Sequence, residues 1–200
     1  MSRPALARAQ QALTQGGPAR TSQLEAAGIP RAELSRLVAA GQLQRVARGL
    51  YALPGYQGTE DSALVTVAKR VPKSVFCLLT ALRMHGLTTQ LASEVWIAIG
   101  NKQHAARMDY PPLRIVRFSE ESLGYGVETR EIEGTALHVT SVAKTVADCF
   151  KFRNKIGLDV ALEALRETRR ERRAGIDELW RAAQVNRVAN VMRPYLESIA

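Results

Sequence analysis

The 200-residue sequence is poor in cysteine, histidine and aromatic residues: two Cys, three His, and Phe, Trp and Tyr together at 6%. Cys77 and Cys149 each sit in an apolar helical pattern without metal-ligand spacing. They read as buried reduced thiols, and the expected compartment is the cytoplasm. His85, His104 and His138 lie far apart. No two have the spacing of a metal site, and none stands beside a Ser or Cys nucleophile motif. His85, next to Gly86, fits a helix C-terminus. No apolar run nears the ~18–20 residues of a membrane span, and no charged-then-apolar leader opens the sequence. Glu-x-Lys and Asp-x-Lys triplets are also missing. A restriction-type nuclease uses such a triplet, after a further acid, to hold Mg²⁺ with an assisting lysine. The nearest stretches, Glu128-Thr-Arg130, Glu167-Thr-Arg169 and Glu171-Arg-Arg173, end in arginine, which does not release a proton there. Gly124-Tyr-Gly126 is too short for a phosphate loop. The expectation is a protein without metal, without cofactor and without enzymatic activity. A divergent nuclease-like enzyme stands as an alternative.

Acids are scarce where arginine is not. Overall, 28 Lys and Arg face 19 Asp and Glu, a net charge of +9 and a pI near 10.1. Residues 1–58 hold seven of the basic residues, all arginine, against Glu25 and Glu33 alone, a net of +5. The larger remainder, with 21 basic and 17 acidic residues, carries only +4. A polyanionic partner such as nucleic acid suits this balance better than an acidic small substrate.

The first sixty residues alternate helix signals with glycine stops. Leu6, Ala9 and Leu13 have helical spacing before Gly16-Gly17. Ser22 and Glu25 have the spacing of a capping box, Gly28 closes that short helix, and Pro30 opens the next. The third helix places Leu34, Leu37 and Val38 on one face and Arg31, Ala32, Ser35 and Arg36 on the other. Two short strands then flank Ala47-Arg48-Gly49, where Gly49 suits the positive φ of a tight turn. Helix, short helix, glycine turn, helix and hairpin is the order of a winged helix-turn-helix. Small residues and arginines on the third helix suit close approach to base edges, and Arg45 and Arg48 suit phosphate or minor-groove contact. A small three-helix domain with solvated arginines, used for protein contact, is the competing reading. Tyr51 reads as the anchor of the hairpin.

Residues 21–55 closely resemble the N-terminal domain of the AbiEi-like family of antitoxins and transcriptional regulators. The resemblance rests on the Thr21-Ser22 start, the Leu-x-x-Leu-x-x-x-Gly third helix, and Arg45-x-x-Arg48-Gly49-x-Tyr51. It implies DNA binding by Thr21, Ser22, Arg31, Ala32, Ser35, Arg36, Arg45 and Arg48. Over about residues 75–165, "LLTALRMHGL", "EVWIAI" and "VTSVAKTVADCF" are similar to the same family's C-terminal portion. The implied protein is an autorepressor that binds operator repeats, paired functionally with a nucleotidyltransferase-like toxin in a type IV system of phage defence, without a stable complex. A repressor unconnected to any toxin is a further alternative.

The expected organisation is a winged helix over 1–56, a linker "YQGTED", and an α+β domain over 60–200. Helices are expected over Glu60–Arg70 and "SVFCLLTALRMHGL", then strands over 94–99 and 113–118 and a hairpin around Glu133-Gly134-Thr135. "SVAKTVADCFKF" reads as an amphipathic helix, with further helices over 157–173, 176–185 and 188–199. Lys144, Thr145 and Asp148 are the candidates for function in this domain. Lys144 and Asp148, one turn apart, fit equally a structural ion pair behind a Thr140 or Ser141 cap. The basic run 166–175 reads as a second phosphate-binding face, an interface for an acidic partner, or a solvated helix end.

Overall fold

The computed structural model describes residues 3–14, 18–56, 60–90, 94–104, 107–108 and 111–198. The chain is α+β and divides into two compact units. One comprises residues 1–73, 106–112 and 130–137, and the other residues 74–105, 113–129 and 138–200.

The first unit runs α1 (Arg3–Thr14), β1 (Ala19–Arg20), α2 (Thr21–Ala26), α3 (Arg31–Ala39), β2 (Gln44–Ala47), β3 (Leu50–Ala52) and α4 (Glu60–Arg70). Ala9 and Leu13 of α1, Leu24 of α2, Ile29 of the turn, and Leu34 and Leu37 of α3 close one core. Burying each of the larger side chains contributes roughly 1.5–3 kcal/mol. The turn between α2 and α3 works because Gly28 takes φ +78°, which lets Ile29 donate to the Leu24 carbonyl at 2.9 Å and swing into the core. The glycine stop expected at Gly16-Gly17 and residues 57–59 of the expected linker lie outside the described residues.

Strand β1 has no counterpart in the sequence reading. Two residues are too few to show a period, yet Ala19 pairs with Tyr51 and Arg20 with Leu50, giving an antiparallel sheet in the order β1-β3-β2. That pairing also moves the start of α2. Arg20, extended at φ −73° and ψ 154°, is its N-cap, and the Gln23 side chain accepts the Arg20 N–H at 2.8 Å. The expected Ser22–Glu25 box therefore does not form, and Glu25 instead accepts from Arg31 at 2.9 Å.

In the second unit, β4 (Val75–Phe76) and α5 (Leu78–Met84) replace the single helix expected over "SVFCLLTALRMHGL". Val75 and Phe76 pair antiparallel with Ala98 and Ile97, and Phe76 also pairs in parallel with Val139. Leu78, at φ +50°, makes the break. There follow β5 (Val95–Gly100), β6 (Leu113–Phe118), α6 (Glu120–Gly124), β7 (Val127–Ile132) and β8 (Thr135–Thr140), of which residues 130–137, the tip of the β7–β8 hairpin, belong to the first unit. The mixed sheet has the order β6-β5-β4-β8-β7. Glu133 and Gly134 both have positive φ, as a two-residue hairpin turn of type I′ needs. The chain then forms α7 (Val142–Lys151), α8 (Arg153–Ile156), α9 (Leu158–Arg170), α10 (Ile176–Val185) and α11 (Ala189–Glu197). Helix α7 is amphipathic as expected, yet every residue from Val142 to Phe150 is buried, Lys144, Thr145 and Asp148 included, so its polar face too lies inside the second core.

Candidate nucleic-acid interface

The outward face of α3 follows from its inward one. With Leu34 and Leu37 in the core, Arg31, Ala32, Ser35 and Arg36 fall on the exposed side. The Arg31 and Arg36 side chains are 78% and 77% exposed. Each leans on one acid: Arg31 donates to Glu25 at 2.9 Å, and Arg36 to Glu33 at 3.3 Å. Exposed pairs of this kind contribute about 0–1 kcal/mol, so an incoming phosphate can displace either carboxylate at little cost. Ser35 spends its hydroxyl on the Arg31 carbonyl at 3.2 Å, which leaves a small, flat position beside Ala32.

The hairpin β2–β3 is held to α2 through Thr21. Its N–H and its hydroxyl both donate to the Gly49 carbonyl, at 3.0 and 3.2 Å. Thr21 is thus engaged in placing the wing, whereas Ser22 is exposed. Gly49 has φ +74°, and a Cβ there would stand 3.3 Å from the Thr21 hydroxyl. Tyr51 packs against the helical core. Arg45 lies opposite Tyr51 across the ladder, next to a register shift between Arg45 and Ala47. Arg45 and Arg48 are both exposed, and among the described residues neither side chain bonds to an acid. The first unit thus carries four exposed arginines on its third helix and hairpin, two lightly paired and two without an acidic partner.

Lys144, Thr145 and Asp148 come together in the second unit, in its interior. Lys144 and Asp148 are both fully buried and ion-paired, one turn apart. The Lys144 ammonium also sits 4.2 Å from the centre of the Phe118 ring. Asn186 donates to the same carboxylate oxygen at 2.7 Å and accepts from the Ser122 hydroxyl at 2.9 Å. Burial pushes the Asp148 carboxyl above its ordinary range, against the charge of Lys144 and the bonds from Lys144 and Asn186. Ser141 caps α7, accepting from the Lys144 N–H at 3.4 Å. The Thr145 hydroxyl is within 2.7 Å of that of Thr140 and donates to the Thr140 carbonyl at 3.0 Å. That carbonyl also lies 2.7 Å from Nε2 of His85, the C-cap of α5. Asn186 and Ser122 gave no signal in the sequence, being 38 and 26 residues away from Asp148. Cys77 and Cys149 are buried thiols, pushed up in pKa by burial first and then by the Asp148 charge.

Among the described residues, no group of three or more His, Cys, Asp or Glu is placed to hold a metal ion. Among them, too, no helix is long and apolar enough to cross a membrane. No curated protein matches the chain. Residues 4–54, from α1 through the hairpin of exposed arginines, match the family described as "transcriptional regulator, AbiEi antitoxin".

Proposed function

We propose that the protein is a DNA-binding transcriptional regulator of the antitoxin type, which represses its own operon through the first unit. Residues 1–56 form the DNA-binding domain in this reading, and residues 60–200 the antitoxin domain. The observation that carries it is the set of four exposed arginines, Arg31, Arg36, Arg45 and Arg48, on a helix-turn-helix and hairpin whose residues match a family of regulators. Helix α3 would enter the major groove, with Ala32 and Ser35 allowing close approach and Arg31 and Arg36 reaching base edges or phosphates. Arg45 and Arg48 would follow the backbone beside it, and Ser22 would add a phosphate contact at the start of α2. Thr21 would act chiefly by placing the wing through Gly49.

The partners of this reading are double-stranded DNA carrying operator repeats upstream of the gene and, functionally, a nucleotidyltransferase-like toxin. Lys144, Thr145 and Asp148 would serve antitoxicity by holding the second unit in shape, since all three side chains are buried. The test has two arms. Gel-shift titration of full-length protein on its upstream DNA is expected to give binding much tighter than on a scrambled duplex of equal length. Co-expression with the neighbouring toxin-like gene is expected to restore growth. Equal affinity for both duplexes would overturn the regulator, and growth arrest despite co-expression would overturn the antitoxin.

A further inference from the structure

A cavity of about 590 Å³ lies within the first unit, between β1, the start of α2, α4 and the tip of the β7–β8 hairpin. Its walls include Ala19, Arg20, Gln23, Lys69, Thr135 and Ala136. Small-molecule sites commonly have volumes of about 300–1,000 Å³. Two groups in these walls are polar and poorly satisfied. Among the described residues, Arg20 Nε and Nη2 are shielded from solvent and find no hydrogen-bond partner, and the Thr135 hydroxyl is in the same condition. Shielded donors without acceptors are costly, and a buried guanidinium more so.

Arg70 brings a further positive charge close to Arg20, and Glu133 brings one negative charge close to Lys69. Burial of Arg20 and the nearby charge of Arg70 both disfavour its cation, so its pKa falls below the ordinary value. Burial does the same to Lys69, partly offset by the charge of Glu133. Lys69 gives a hydrogen bond to the Pro18 carbonyl, which fixes its ammonium at the wall of the cavity. A dianion seated here would satisfy the guanidinium and relieve the repulsion between Arg20 and Arg70. A phosphate monoester carries a charge of about −1.5 to −2 at neutral pH and three strong acceptor oxygens.

We propose that this cavity binds a small molecule carrying a phosphate monoester, held by Arg20 and Lys69 with the Thr135 hydroxyl as a further donor. The site is separate from the exposed arginines of α3 and the hairpin, and it does not depend on their role in DNA binding.

Isothermal titration of the full-length protein with inorganic phosphate and with ribose 5-phosphate, at constant ionic strength set with chloride, tests it. Saturable binding is expected for both, tighter for the sugar phosphate because it fills more of the cavity. Arg20→Gln is expected to weaken both on the order of tenfold or more, the loss of a charge-assisted hydrogen bond. Thr135→Val, which keeps the side-chain shape, is expected to weaken them several-fold without altering the fold. Ala136→Leu, which removes volume and no charge, is expected to weaken ribose 5-phosphate more than phosphate. Arg181→Gln, at an exposed position of α10, is expected to leave both unchanged. Absence of saturable binding in wild type would overturn the proposal, as would equal weakening by Arg20→Gln and Arg181→Gln. An Arg20→Gln variant that loses only affinity for a DNA duplex would overturn it in favour of a backbone contact.

Discussion

The two units treat charge in opposite ways. In the first, Arg31, Arg36, Arg45 and Arg48 lie on the surface, two of them touching single carboxylates and two touching none among the described residues. In the second, Lys144 and Asp148 lie at the centre, paired with each other, shielded by the Phe118 ring and tied to Asn186 and Ser122. Surface arginines contribute little to stability and are available to a polyanion. A buried pair costs desolvation to form, and removing one partner leaves a charge without compensation. Under the proposed function, substitutions in the first group are expected to register on DNA affinity, and those in the second on folding.

The largest expected effect breaks the buried pair. Lys144→Met leaves Asp148 buried without its cation and is expected to cost about 3–5 kcal/mol of unfolding free energy. Urea denaturation of the full chain measures it. The double variant Lys144→Met/Asp148→Leu, with no charge left to bury, is expected to recover much of that loss. A single variant as stable as wild type would remove the contrast between the units.

The same pair gives a pH signature. Asp148 binds its proton more tightly in the folded chain than in the unfolded one, because burial holds its pKa above the ordinary 3.8. Its contribution to stability is therefore fully present below the unfolded value and declines as pH rises through the raised one. Asp148→Asn is expected to flatten that part of the curve of unfolding free energy against pH. Identical curves for the variant and wild type would place the carboxyl in an ordinary, solvated environment.

A smaller effect is expected at the wing. Gly49→Val puts a β-branched residue at φ +74° and a Cβ 3.3 Å from the Thr21 hydroxyl. The strain is worth roughly 1–3 kcal/mol. Hydrogen exchange is expected to show its loss of protection confined to Thr21 and the β2–β3 hairpin, with α7 unchanged. Loss of protection spread evenly over both units would mean that the wing is no local element.

Much of the first unit was legible because its elements are marked by glycine and leucine. Gly28 and Gly41 end α2 and α3 at positive φ, Gly49 turns the hairpin, and Leu34 and Leu37 orient α3. Local chemistry fixes those positions, so a local pattern shows them. Strand β1 was invisible because its two residues are a strand only through pairing with Leu50 and Tyr51, thirty residues on. The same holds for β4, whose partners are β5 and β8. In the second unit, Lys144 and Asp148 were legible as an i, i+4 pair, but not as a buried one. An isolated helix shows Val142, Val146, Cys149 and Phe150 as one apolar face. Packing on every side of α7, and the Asn186 and Ser122 hydrogen bonds, belong to tertiary structure alone. The Arg20–Lys69 juxtaposition is of that kind too, joining residues 49 positions apart.

In the proposed function the exposed arginines serve DNA and the buried pair serves the fold. The salt dependence of binding to the upstream DNA, measured for Arg31→Ala, Arg36→Ala, Arg45→Ala and Arg48→Ala alongside their thermal midpoints, tests it most directly. Each variant is expected to bind more weakly, with a slope of log affinity against log salt reduced by about 1 wherever a phosphate contact is lost, and to keep the wild-type thermal midpoint. Wild-type affinity and slope in all four variants would contradict it.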